Sequence, residues 1–191
     1  VWPGTWLFRR LTPRLGLIDI PNPRSSHAVP IPRAGGVVFV VVVPLVALVI
    51  ALRTGIVLAE GEWALLITGW FVAGVSLIDD WRPLPARLRL VAQSWAAVGL
   101  IVYGGYLHYF GAGSFGVIDV GRVGVLITFV WIISLANAFN FMDGMDGLAA
   151  GQGLIASVAI AWLSMSIGLG WISVLSAALA GGMLGFLIHN A

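Results

Sequence analysis

Long apolar runs, each closed by glycine, proline or charge, dominate the chain: residues 36–52, 63–78, 88–107, 123–141, 153–169 and 171–188. A helix needs about 20 predominantly apolar residues to cross the ~30 Å hydrocarbon core of a bilayer, so the pattern predicts six transmembrane helices. The first run carries Pro44 in its middle, where a proline kinks a helix yet is tolerated if neighbours satisfy the freed backbone. The fifth and sixth runs meet at Gly168-Leu169-Gly170-Trp171, a connection short enough to demand a helical hairpin. Ahead of the first run, Arg9-Arg10-Leu11-Thr12-Pro13-Arg14 reads as the end of a span whose beginning is missing, in keeping with a chain that opens on Val1. The expected fold is an all-α polytopic transmembrane helix bundle of about six full spans plus the end of a preceding one. Residues 1–191 read as a single integral membrane domain, a fragment of a longer protein.

Composition narrows the class. The chain is 60% hydrophobic and 9% charged, against roughly a quarter charged in ordinary soluble domains. A soluble globular fold, a disordered segment and a disulfide scaffold are excluded, and the absence of cysteine removes thiol chemistry and Cys-bound metal. The ten basic residues are all arginine. Arg9, Arg10, Arg14, Arg24 and Arg33 precede the first span and Arg82, Arg87 and Arg89 follow the second, whereas Arg53 and Arg122 fall on the other side. By the positive-inside rule, residues 9–35, 79–89 and 142–152 face the cytoplasm. The basic residues thus report topology, and no nucleic-acid partner is expected; the lipid bilayer is the first partner. Asp19, Asp79, Asp80, Asp143 and Asp146 sort to the arginine-rich face, with Glu60, Glu62 and Asp119 opposite.

Two polar clusters interrupt the apolar pattern. The second span ends Val75-Ser76-Leu77-Ile78-Asp79-Asp80, which puts adjacent carboxylates where the helix leaves the hydrocarbon. A carboxylate at bilayer depth costs roughly 2.5 to 3.5 kcal/mol on insertion scales, so this pair calls for water, cations or metal; a solvated helix end satisfies the same demand. The fourth span ends in Asn137, Asn140, Asp143 and Asp146 at steps of three, with Gly144 and Gly147 placed to release the chain from the helix. Each step of three drifts ~60° around the axis, so Asn137 and Asn140 can share a face while all four cannot. A capped helix end followed by a Gly-Asp turn explains neither the doubled Asn nor the doubled Asp-Gly. Together the two loops hold four carboxylates and two amides beside three arginines. Hard oxygen ligands of this kind suit Mg²⁺ held between one or two carboxylates and substrate phosphates, the arrangement of phosphoryl transfer. In residues 16–36, four prolines stiffen a loop whose Arg24, His27 and Arg33 could clamp phosphate; a rigid connector with topology-setting charges reads equally well.

Three ordered segments carry a resemblance. Residues 19–36 (DIPNPRSSHAVPIPRAGG), Asp79-Asp80 with Arg82-Pro83-Leu84-Pro85-Ala86-Arg87-Leu88-Arg89-Leu90 and Gln93, and residues 137–149 (NAFNFMDGMDGLA) resemble the polyprenyl-phosphate N-acetylhexosamine-1-phosphate transferase superfamily, the glycosyltransferase family 4 type. Phe141-Met142-Asp143-Gly144 and Leu88-Arg89-Leu90 look more like the bacterial enzymes that initiate O-antigen and other surface glycans than like the peptidoglycan translocase. The resemblance implies a Mg²⁺-dependent transfer of an N-acetylhexosamine-1-phosphate, or a deoxy-amino-sugar-1-phosphate, from a UDP-amino sugar to undecaprenyl phosphate. UMP leaves, and lipopolysaccharide or cell-wall glycan synthesis begins. On that pattern Asp79 and Asp80 orient or deprotonate the lipid phosphate and Asn140 ligates the metal. Asp143 supports the metal-diphosphate cluster, Asp146 contacts the nucleotide base or a metal-bound water, and Asn137 and His27 bind substrate. Arg89 stands where many members carry a phosphate-gripping Lys, and offers a fork in place of a point charge.

The resemblance implies a multi-pass protein of the bacterial inner membrane with a cytoplasmic active face, and leaves homo-oligomerisation open. The superfamily pattern continues into a Gly-Asp loop and then a His-bearing loop, neither of which occurs in residues 1–191, so this 191-residue piece alone is expected to be inactive. His189 is not promoted to a ligand. A secondary transporter or ion-translocating protein is the chief rival, and would place its acids near the bilayer midplane. A CDP-alcohol phosphatidyltransferase would need further Asp downstream, and residues 147–191 contain none.

Overall fold

The computed structural model describes residues 18–19, 31–32, 36–111, 116–142 and 147–190. Among them, two two-residue strands, β1 (Ile18–Asp19) and β2 (Ile31–Pro32), pair antiparallel, Ile18 opposite Pro32 and Asp19 opposite Ile31. Six helices carry the fold: α1 (Gly36–Thr54), α2 (Glu60–Trp81), α3 (Ala86–Gly104), α4 (Val123–Met142), α5 (Leu148–Ser166) and α6 (Gly170–Asn190). Between α3 and α4 lie β3 (Tyr109–Gly111) and β4 (Val117–Asp119). The all-α polytopic architecture expected from the apolar runs is therefore present, and α1 runs unbroken through Pro44. The Arg9 to Arg14 segment, read as the end of a preceding span, lies outside the described residues.

By length and composition, α1, α2, α4, α5 and α6 are able to cross a membrane among the described residues. The run at 88–107 needs correction. Its helix starts earlier, at Ala86, and ends at Gly104, and α3 is not among the apolar five. Arg87, Arg89, Gln93 and Ser94 occupy its first turns and shorten the apolar stretch.

The chain divides into two compact units. One takes Val1–Leu58, Leu77–Pro83 and Asn140–Ala191, and the other Ala59–Ser76 and Leu84–Phe139. In the first, α6 packs against both α5 and α1. Lipid is as apolar as leucine, so helices associate through close van der Waals contact, which small residues permit. Val43, Ala47 and Ala51 make a buried stripe at four-residue spacing on α1, and Ala150, Gly153, Ser157 and Ser164 line α5. Gly182 of α6 is where the chains approach most closely: a Cβ there would lie 2.7 Å from Val43 Cγ2 and 2.8 Å from Phe39 Cε2. Gly153 faces Met183 in the same way, at 2.8 Å from its Cε. The expected helical hairpin between α5 and α6 turns through Gly168 at φ 78°, and Trp171 at its base is buried.

In the second unit, α2 begins with half of a capping box, the Glu62 carboxylate accepting from the Ala59 N–H at 2.8 Å. A Cβ at Gly61 would lie 2.8 Å from the Gly104 Cα, so glycine lets the start of α2 meet the end of α3. Farther along, Gly99 faces the Thr68 methyl.

Candidate functional site

The acids of α2 are confined to its ends, Glu60 and Glu62 in the first turn and Asp79 and Asp80 in the last. Among the described residues no acid lies in the middle of a helix, unlike the midplane acids of an ion path. Asp79 and Asp80 are still helical, because α2 runs to Trp81 and the Arg82 N–H continues the ladder to the Ile78 carbonyl at 2.8 Å. Neighbouring helical positions differ by ~100°, so the two carboxylates diverge: Asp79 is half-buried and Asp80 exposed.

Asn140 occupies the last turn of α4, exposed, in the same compact unit as Asp79 and Asp80. As expected, α4 stops at Met142, before Gly144, and Gly147 re-enters α5 in the left-handed region at φ 70°. Asp143 and Asp146 lie between these points, outside the described residues, and so does His27.

The second unit holds the other half of the expected set. Arg89 is half-buried in the first turn of α3. One turn farther along, Gln93 meets Asn137 of α4: the Asn137 Nδ2 donates to Gln93 Oε1 at 2.9 Å and to the Ile133 carbonyl at 2.8 Å. A backbone carbonyl can only accept, which fixes the amide's orientation. Both Nδ2 hydrogens are thereby committed, and the amide's carbonyl oxygen is its remaining polar atom. Sequence reasoning noted Gln93 only as part of the resemblance. The signal that could have found it was an amide four residues after an arginine inside an otherwise apolar run.

Beyond Arg89 a groove of about 390 Å³ runs along the same helix, lined by Leu90, Val91, Ser94, Trp95 and Val98 with Phe129 of α4. The Ser94 hydroxyl donates to the Leu90 carbonyl at 2.8 Å, leaving an apolar lining.

Asp79, Asp80 and Asn140, which share one compact unit, all offer oxygen donors, and oxygen donors fit a hard divalent cation. No three His, Cys, Asp or Glu side chains gather among the described residues.

Residues 62–191 match the family described as Glycosyl transferase family 4. The chain belongs to that family, and the expected kinship with polyprenyl-phosphate sugar-1-phosphate transferases holds. It is 38% identical, over 95% of its own length and 49% of the relative's, to the decaprenyl-phosphate N-acetylglucosaminephosphotransferase of Mycobacterium tuberculosis (strain CDC 1551 / Oshkosh). It is 29% identical to the probable undecaprenyl-phosphate N-acetylglucosaminyl 1-phosphate transferase of Bacillus subtilis (strain 168), over 97% and 51%. To the phospho-N-acetylmuramoyl-pentapeptide-transferase of Moorella thermoacetica it is 32% identical, over 88% and 56%. The chain spans about half the length of the curated relatives it matches. Its five long apolar helices make it a multi-pass membrane protein.

Proposed function

We propose that the protein to which this chain belongs transfers an N-acetylhexosamine-1-phosphate, or a deoxy-amino-sugar-1-phosphate, from a UDP-sugar to undecaprenyl phosphate at the cytoplasmic face of the bacterial inner membrane. The observation that carries the reading is family membership over residues 62–191, the stretch that holds the acidic end of α2 and the amide-bearing end of α4. Relatives named for polyprenyl-phosphate sugar-phosphate transfer support the reaction class. The arginine bias supports the cytoplasmic orientation.

In this reaction an oxygen of the lipid phosphate attacks the β-phosphorus of the UDP-sugar, the new P–O bond forms, and the bond to the UMP oxygen breaks. Catalysis of such a transfer is mainly positioning and charge neutralisation. Arg89 holds the lipid phosphate through its guanidinium fork while the apolar groove beyond it takes the first isoprene units. Asp79 and Asp80 orient that phosphate and accept its proton. Asn137 and Asn140 present oxygens, the first with its amide already fixed by Gln93. Asp143 supports the diphosphate, Asp146 contacts the nucleotide base or a metal-bound water, and His27 binds substrate. Asn140, with Asp143 in support, would hold Mg²⁺, which would supply charge neutralisation at the diphosphate.

The deciding experiment incubates the full-length protein in membranes with undecaprenyl phosphate and a panel of UDP-sugars, following UMP and lipid-linked product. UMP released in step with a lipid-linked sugar phosphate is the expected result. Lipid-linked sugar without UMP, or no turnover with any sugar, removes the proposal.

A further inference from the structure

The β3–β4 hairpin plays no part in that reaction. It sits at the end of α3 and α4 remote from Arg89 and Asn137. Its register pairs Tyr109 with Asp119, Phe110 with Ile118 and Gly111 with Val117. Side chains alternate faces along a strand, and directly paired residues share a face. Phe110 and Ile118 therefore form one wholly apolar face, and Tyr109, Val117 and Asp119 form the other. A small folded hairpin ordinarily hides such a face against a core. Here every residue of both strands is exposed, Phe110 at 55% and Ile118 at 50%.

The hairpin is held in a set posture. The Leu107 N–H donates to the Thr128 hydroxyl at 2.9 Å, and that hydroxyl donates to the Gly124 carbonyl at 2.7 Å. Gly124 lies so close to the Leu107 carbonyl that no Cβ fits between them. The Val120 N–H closes the base onto the His108 carbonyl at 2.9 Å, and the His108 ring stacks on Tyr106 with centroids 4.1 Å apart.

Its distance from the membrane is limited as well. Three residues connect β4 to α4, a helix long and apolar enough to cross a membrane; at about 3.5 Å per residue they reach no farther than roughly 11 Å. Two of the chain's three tyrosines, Tyr103 and Tyr106, lie at the end of α3 and in the link to β3. Tyrosine is enriched where hydrocarbon gives way to head groups, because its ring is apolar and its hydroxyl wet. The exposed apolar surface of α4, from Val123 through Leu126 to Val130, continues directly from the hairpin's base.

We propose that the β3–β4 hairpin is a membrane-docking element. Its Phe110–Ile118 face enters the head-group boundary of the leaflet away from the arginine-rich loops, and the Asp119 side stays in water. The occupant is phospholipid, selected by apolar burial and not by head-group charge. This inference rests on the membrane-spanning fold and stands or falls independently of the transferase reading.

The chain contains no cysteine, so single reporters are straightforward to place. Nitroxides are attached to Phe110→Cys, Ile118→Cys, Tyr109→Cys and Asp119→Cys, each in the full-length protein otherwise free of cysteine and reconstituted in phosphatidylcholine liposomes. Accessibility to oxygen, which partitions into lipid, is compared with that to a water-soluble nickel chelate. The expected result is oxygen-dominated relaxation at 110 and 118 and nickel-dominated relaxation at 119, unchanged by high salt. Positions 110 and 118 report one face, so either suffices if the other variant fails to fold. Nickel access at both positions of that face overturns the proposal. Exclusion of both reagents from 110 and 118 also overturns it, and dipolar broadening there identifies a second copy of the chain as the true partner.

Discussion

The helices α3 and α4 are tied together near each end, and the two ties are of different kinds. Near Arg89 the tie is a single hydrogen bond between two side chains, Gln93 and Asn137. At the hairpin it is a backbone N–H on a threonine hydroxyl, reinforced by a glycine pressed against a carbonyl. Side-chain amides leave one oxygen to offer a ligand, whereas a backbone tie leaves nothing to offer and holds its element still. One pair of helices thus presents chemistry at one end and a fixed apolar platform at the other. Substitutions at the two ends are therefore expected to separate turnover from stability.

The largest effect belongs to the polar ends. Asp80→Asn or Asp143→Asn in the full-length protein is expected to lower UMP release by at least about 100-fold, the scale seen when one transition-state electrostatic partner is removed. Membrane insertion and melting temperature are expected to stay close to the parent's. Unchanged turnover takes that carboxylate out of the mechanism. Chelation by EDTA is expected to stop the reaction and added Mg²⁺ to restore it, as measured by lipid-linked product; metal-independent turnover contradicts the assignment of the oxygen donors.

The contrast between the ends also explains what the sequence disclosed. Helices α1, α2, α5 and α6 were legible because each lies between clear breakers: the Gly35-Gly36 pair, the Arg82-Pro83 stop and the Gly168-Leu169-Gly170 turn are all local signals. The last turns of α2 and α4 were legible as candidate chemistry because carboxylates and amides are conspicuous against hydrocarbon. The hairpin was not. Three-residue strands, Tyr109–Gly111 and Val117–Asp119, are too short to display an alternation distinguishable from a loop. The run at 88–107 hid the boundary because Tyr106 and Leu107 are apolar enough to pass as helix. The Gln93–Asn137 bond joins residues 44 apart, and no periodicity encodes such a pairing; only the folded structure reveals it.

The middle effect belongs to the hairpin end. Gly124→Ala is expected to lower stability by about 1 to 3 kcal/mol, the range for overpacking a filled site, since the obstructing atom is the Leu107 backbone carbonyl and cannot rotate away. Thermal unfolding in nanodiscs measures this as a lower melting temperature. Turnover per folded molecule, with Asn137 far along α4, is expected to fall less than about twofold. A parallel loss of both means that the two ends of the pair are coupled.

The smallest effect is the most informative, because it acts on the other tie. Gln93→Leu removes the acceptor for one Asn137 hydrogen and leaves the Ile133 carbonyl holding the other. A neutral hydrogen bond contributes about 0.5 to 1.5 kcal/mol, so the loss is expected to be roughly two- to tenfold. If Gln93 only joins two helices, that loss is thermal stability, shared between kcat and KM without pattern. If it fixes the oxygen of Asn137, the loss falls on kcat and on the Mg²⁺ concentration for half-maximal rate, while melting temperature barely moves. Gln93→Glu separates the cases further: its carboxylate still accepts from Asn137, so a positioning role predicts recovery above Gln93→Leu despite the added charge beside Arg89. Failure of Gln93→Glu to exceed Gln93→Leu, with both melting early, makes this tie structural and erases the difference between the two ends.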